Sequence, residues 1–179
     1  MDNGAWDVNP YTFDDVVATL NTIAPADWAG FLRERLDGHG SLIGGLEMAG
    51  WKLAYRDTPN EAFKAQETRA KAALLTYSIG ATVTDAGVVG DVVWDSPAFN
   101  AGLAPGMTVI AVDGREYKSE RLKEVVAGSR DSKAPITLLV KHFDRVMPIS
   151  IDYHGGAQYP ALERIAGTRD GLSALWKAR

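Results

Sequence analysis

Ser96-Pro97-Ala98-Phe99-Asn100-Ala101-Gly102-Leu103-Ala104-Pro105-Gly106-Met107-Thr108-Val109-Ile110-Ala111-Val112-Asp113-Gly114 is the stretch whose reading decides the fold. Ser96 and Pro97 start a short helix, Gly102 ends it in a left-handed cap, and Leu103 plugs the core beneath. A tight turn follows, then an apolar strand over Thr108–Val112, and Asp113-Gly114 turns the chain again.

Outward from this stretch, short apolar runs alternate with turn signals. Leu74–Tyr77, Ala81–Thr84 and Val88–Trp94 precede it, Ile136–His142 and Val146–Tyr153 follow, and Asp85-Ala86-Gly87 marks a turn. Ser119–Ser129 reads as a longer helix with Ser119 as its cap and Leu122, Val125 and Val126 on one face. The pattern predicts an α+β fold over residues 61–155, a partly open β-barrel capped by two helices, entered through an Ala/Lys/Glu-rich segment that starts as a helix at Glu61.

Residues 1–60 read as a small helical segment in front of that unit. Thr12 caps a first helix, with Asp14 and Asp15 in its first turn and Phe13, Val16, Val17, Leu20 and Ile23 along one face. A second helix is expected with Pro25 in its first turn, an apolar stripe of Trp28, Phe31, Leu32 and Leu36, and Gly38 and Gly40 at its end. Gly38 to Gly50 is expected to be mostly loop, Trp51–Tyr55 a short strand and Asp57-Thr58-Pro59-Asn60 a turn. Residues 156–179 read as a tail with a last helix over Leu172–Ala178.

Charge and composition exclude several classes of function. The 179 residues hold 19 basic and 23 acidic side chains, a net charge of −4, and the pI is near 5.4. A nucleic-acid partner or an anionic membrane surface calls for a basic patch, which this balance does not offer. The charge runs from net −5 over residues 1–60 through −1 over 61–155 to +2 over 156–179, which fits either mutual docking or an ordinary solvated surface. Cysteine is absent, so there are no disulfides, no thiolate metal sites and no cysteine nucleophile. No apolar run approaches the ~18 residues of a membrane span. The start of the chain lacks the basic-then-apolar pattern of a signal peptide, and periplasm and cytoplasm both stay open.

No catalytic or metal-binding set is recognisable. His39, His142 and His154 are scattered and none begins an H-E-x-x-H helix. There is no G-x-S-x-G elbow, Walker loop or dinucleotide fingerprint. The glycines of Gly38-His39-Gly40 and Gly44-Gly45 are not followed by anything like a phosphate cradle.

The Ser96–Gly114 stretch closely resembles the central signature of PDZ domains, with Met107 where the family usually has aspartate. PDZ domains take a C-terminal carboxylate on successive backbone N–H groups of a loop, and the peptide then extends a sheet as an added strand. The resemblance puts that loop at Ser78, Ile79, Gly80 and Ala81, in the permuted strand order of bacterial stress proteases of the HtrA type. Ile79, Ala81 and Val83 would form the groove floor, with Leu122, Val125 and Val126 as its wall. The alternative is a groove filled from within, its side chains serving as plain core.

The flanks narrow the resemblance. Tyr11-Thr12-Phe13-Asp14-Asp15-Val16-Val17, Trp28-Ala29-Gly30-Phe31-Leu32, Gly50-Trp51-Lys52-Leu53, Tyr55-Arg56-Asp57-Thr58-Pro59-Asn60 and Asp152-Tyr153-His154-Gly155-Gly156 resemble the C-terminal part of bacterial glycyl aminopeptidases. These are zinc metallopeptidases in which a PDZ domain follows a thermolysin-like catalytic domain. The resemblance implies that residues 1–60 end the catalytic domain, that 61–155 are the PDZ domain and 156–179 a tail. Zinc and its H-E-x-x-H helix would lie upstream, so this chain is expected to hold no cofactor and to catalyse nothing alone. The implied partner is a peptide or protein C-terminus, bound or simply positioned, together with the parent catalytic domain. A stand-alone adaptor recruiting a partner by its C-terminus is the alternative. The apolar stripes within residues 12–36 are expected to dock on the barrel or to pair two copies.

Overall fold

The computed structural model describes residues 10–38 and 44–177; His39 and Gly40 fall outside them. Helix α1 (Phe13–Ile23) starts on a complete capping box, the Thr12 hydroxyl accepting from Asp15 N–H while the Asp15 carboxylate accepts from Thr12 N–H. Helix α2 (Trp28–Asp37) begins three residues after Pro25, because Asp27 rather than the proline supplies the cap, accepting from Gly30 N–H at 2.9 Å. A short helix, α3 (Gly44–Met48), stands in the glycine-rich stretch expected to be mostly loop. None of these three helices buries a residue.

Strand β1 (Trp51–Arg56) does not find its partner in the head. It pairs antiparallel over its whole length with β9 (Tyr159–Arg164), a strand in the tail that the sequence reading missed. One face of this ribbon sets Trp51 opposite Arg164 and Leu53 opposite Leu162, and Lys52 and Arg56 meet Glu163 on the other. Beyond β9, helix α7 (Gly171–Trp176) is capped by Asp170, whose carboxylate also accepts from the Trp51 indole N–H at 3.0 Å.

Between β1 and β9 lies the main body. Helix α4 (Glu61–Ala70) is capped by Asn60 and ends at Lys71, which adopts a left-handed conformation. Strands β2 (Ala72–Leu75), β3 (Ala81–Thr84) and β4 (Val89–Val92) form one sheet in that order. Helix α5 (Pro97–Asn100) follows; then β5 (Thr108–Val112), β6 (Arg115–Glu116), helix α6 (Ser119–Gly128), β7 (Ile136–His142) and β8 (Arg145–Ile151). The second sheet runs β6-β5-β7-β8. The fold is α+β with open sheets, consistent with the α+β fold that the sequence pattern predicted as a partly open barrel. The sheets meet along β4 and the start of β5, where Val89 N–H bonds Met107 C=O and Val109 N–H bonds Gly87 C=O.

One cluster of eighteen buried apolar residues fills the space between the sheets and helices α5 and α6. Its members alternate along β7 as Ile136, Leu138 and Val140, the period of a strand with one buried face. Leu103 is 2% exposed, beneath the helix end that Gly102 turns with φ +89°, as the local reading required. Met107, the departure from the usual aspartate, is buried in the same cluster. Ser119 is the first residue of α6 rather than its cap; Lys118 holds the cap position and offers no side-chain hydrogen bond.

Candidate functional site

The expected carboxylate loop is built by contacts to the Ser96–Gly114 stretch. Ser96 caps α5, accepting from Phe99 N–H at 3.2 Å, and its hydroxyl donates back to Gly80 C=O. Ala98 N–H bonds Ile79 C=O at 2.9 Å and Val93 N–H bonds Gly80 C=O at 2.8 Å. Gly80 sits at φ +80°, and a Cβ there would lie 2.1 Å from the Ser96 Cβ. The loop therefore depends on a glycine opposite a small helix cap, which explains why the two motifs occur together sixteen residues apart.

The expected floor and wall residues are packed as core, as in the filled alternative. Ile79, Ala81, Val83, Leu122 and Val126 are together, as expected, but each is at most 1% exposed, and Val125 packs at the cluster's margin. The occupant is β2. It pairs with β3 along the edge where a peptide would add, Leu75 opposite Ala81 and Ala73 opposite Val83, and α6 packs against it. Its direction is that of a bound chain end, with the last residue at the loop. The loop donors are taken as well: Ser78 N–H and Gly80 N–H both reach Leu75 C=O at 3.0 Å. The sequence placed a strand at Leu74–Tyr77. The shift to Ala72–Leu75 frees Thr76 and Tyr77 to turn the chain back on itself, so the strand fills the groove instead of preceding it.

Glu67 of α4 holds this arrangement in place. One of its carboxylate oxygens accepts from Leu74 N–H at 3.1 Å, the outward-facing donor of β2. The other lies 3.3 Å from the Lys123 ammonium of α6, with the Glu67 side chain only 10% exposed. Phe63 of α4 packs edge-on against Tyr159 at 5.1 Å, next to Leu74 and Ala157, in a second small core. Burial and the nearby Glu67 charge both raise the Tyr159 phenol pKa.

The segment 153–158 straps over the loop. Gln158 N–H bonds the Ser78 hydroxyl at 3.0 Å, and Tyr153 OH donates to Gly156 C=O at 2.7 Å. Gly156 N–H bonds Ser129 Oγ, and Arg130 reaches Gly155 C=O, which ties the strap to the end of α6. His154 lies between Ser132 C=O at 2.8 Å and the Asp152 carboxylate at 2.9 Å. Asp152-Tyr153-His154-Gly155-Gly156 is thus a fastening, and His142 stacks beside the exposed ring of Phe143 at 4.3 Å. Among the described residues no three histidine or carboxylate side chains gather as a metal site, and no helix is long and apolar enough to cross a membrane.

No protein-family model matches this chain, and no curated protein matches it. Among solved structures, an aminopeptidase N family protein from Idiomarina loihiensis is similar at 19% identity with a TM-score of 0.53. The similarity covers 85% of this chain and 27% of that one, so this chain spans about a quarter of that protein's length. The HtrA3 PDZ domain, solved with the phage-derived ligand FGRWV, is similar at 18% identity with a TM-score of 0.33, over 64% of this chain and 91% of its own. The first likeness is one of fold.

Proposed function

We propose that this chain is a non-catalytic PDZ-like module from the C-terminal end of a glycyl aminopeptidase-like metallopeptidase, and that at rest it positions and buttresses its parent with its groove closed by its own strand. The observation that carries this reading is β2 lying between β3 and α6 with Leu75 C=O on the Ser78 and Gly80 N–H groups. An added strand needs those same donors and that same edge. The likeness to the Idiomarina loihiensis protein over 85% of this chain supports the fold of the head, the body and the ribbon as parts of one larger architecture. On this reading residues 1–60 end the catalytic domain, 61–155 are the PDZ-like domain and 156–179 the tail. Zinc and the peptidase chemistry belong to the upstream part, which also covers the half-exposed stripes within residues 12–36.

The test is an NMR titration of the whole chain with a free-acid pentapeptide ending in valine. The amides of Ile79, Gly80 and Ala81 are expected to stay in place, because their groove is already paired. Saturable shifts of these amides that vanish when the peptide is amidated would overturn the closed groove.

A further inference from the structure

We infer that Ala72–Leu75 is a tethered copy of this groove's ligand, and that releasing it through Glu67 lets the groove take an external chain end of the pattern Ala-x-Leu. This rests on the closed-groove reading above and extends it to the ligand class and its control. Successive residues of a strand face opposite sides, so Ala73 and Leu75 share one face. Both are buried, at 0% and 1% exposure, in the cluster that includes Ile79, Leu122 and Val126. An incoming end would therefore set leucine in the space Leu75 holds, and alanine two residues before it. The Ser78 and Gly80 N–H groups that now share the Leu75 carbonyl oxygen would receive the carboxylate, a stronger acceptor because it is ionised.

Two strands cannot occupy one edge of β3, so the external end competes with β2. Its apparent dissociation constant is the intrinsic one divided by the fraction of molecules with β2 released. Glu67 is the place to change that fraction. Its carboxylate joins the β2 backbone at Leu74 to α6 at Lys123, and it sits on the helix that leads into β2. The body's main cluster holds no residue of α4 and only Ala73 and Leu75 of β2, so release of β2 vacates those two places alone.

The experiment titrates the full chain and two variants, Glu67→Ala and Leu75→Asp, with Lys-Ala-Ala-Leu-Leu, the sequence of residues 71–75, as free acid and as amide. The free acid should bind Glu67→Ala about tenfold tighter than the native chain, and Leu75→Asp, whose buried carboxylate expels β2, about a hundredfold tighter. Binding should shift the Ile79–Ala81 amides, and the amide peptide should not bind. The β5 and β7 amides report whether each variant is still folded. If Leu75→Asp unfolds, Glu67→Ala decides alone. A folded Glu67→Ala chain that binds the acid as weakly as the native chain, or that binds acid and amide alike, overturns the inference and leaves the closed groove standing. Native binding as tight as that of both variants overturns the closed groove itself.

Discussion

Helices α1 and α6 are of nearly equal length and similarly amphipathic, yet they are held by opposite means. Helix α1 has a full capping box and acidic residues in its first turn, and buries nothing. Helix α6 has no side-chain cap, and buries Leu122 and Val126 completely. Capping is local and worth about 1 kcal/mol, so it fixes where a helix starts without saying what it packs on. Burial of a large aliphatic side chain, roughly 1.5–3 kcal/mol, does both. The same contrast divides the molecule. The body from β2 to β8 is organised by its cluster of eighteen residues. The head and α7 are organised by caps and leave Ile23, Leu36, Met48, Leu175 and Trp176 each more than 70% exposed.

The largest test of this division is a pair of truncations. Leu122→Ala should cost about 2–5 kcal/mol in chemical denaturation, the range for a fully buried leucine that leaves a cavity. Leu32→Ala, on the half-buried stripe of α2, should cost about 1 kcal/mol or less in the isolated chain. Equal costs would erase the distinction.

A middle-sized effect sharpens it within the body. The Tyr117 phenol, which donates to Thr84 C=O at 2.8 Å, has its pKa pushed up to about 12, chiefly by burial. The folded value lies above the unfolded one, so this stabilisation is whole below pH 10 and is lost as pH rises toward 12. Burial raises the Tyr153 and Tyr159 phenols too, so absorbance titration should show several tyrosines ionising late, with a step near 12 that Tyr117→Phe removes at a cost of about 1 kcal/mol. A Tyr117→Phe chain with an unchanged titration would show that this hydroxyl is not held by the fold.

Much of this contrast was legible in the sequence. Ser96, Pro97, Gly102 and Leu103 announce their roles because a cap, a helix start and a left-handed turn are fixed by neighbouring residues. The sequence shows the loop, floor and wall residues and a strand near Leu74–Tyr77, but not that the strand runs over Ala72–Leu75 between floor and wall. Ala72–Leu75 is a short apolar run, and nothing local distinguishes a strand that supports a groove from one that fills it. The decisive facts, the Glu67 carboxylate on Leu74 and Lys123, join residues 7 and 56 positions apart. The β1–β9 ladder was hidden for the same reason: Trp51 and Asp170 meet across 119 positions.

The smallest effect concerns that ladder. The Asp170 carboxyl is held down to about 2, first by the Trp51 indole and then by the Ser173 backbone. Its folded value lies below the unfolded 3.8, so the contribution is present above pH 4 and is lost as pH falls toward 2. Hydrogen exchange of β1 and β9 should quicken over that window while β7 stays protected. Asp170→Asn should flatten the dependence, and a β7 that loosens in step with β1 would join the two regions after all.

The register of the ribbon has a mechanical consequence. The chain enters it at Trp51 and leaves it at Arg164, and these two residues face each other at the same end. Tension or fraying that arrives from either terminus therefore meets the first rung, not the whole ladder in shear. It has to open the pairs one after another, down to Arg56 and Tyr159, before it reaches the strap over Ser78. The ribbon thus behaves as a zip fastener between the ends of the chain and the body, giving way in small steps at low force and leaving the eighteen-residue cluster as the last part to feel the load.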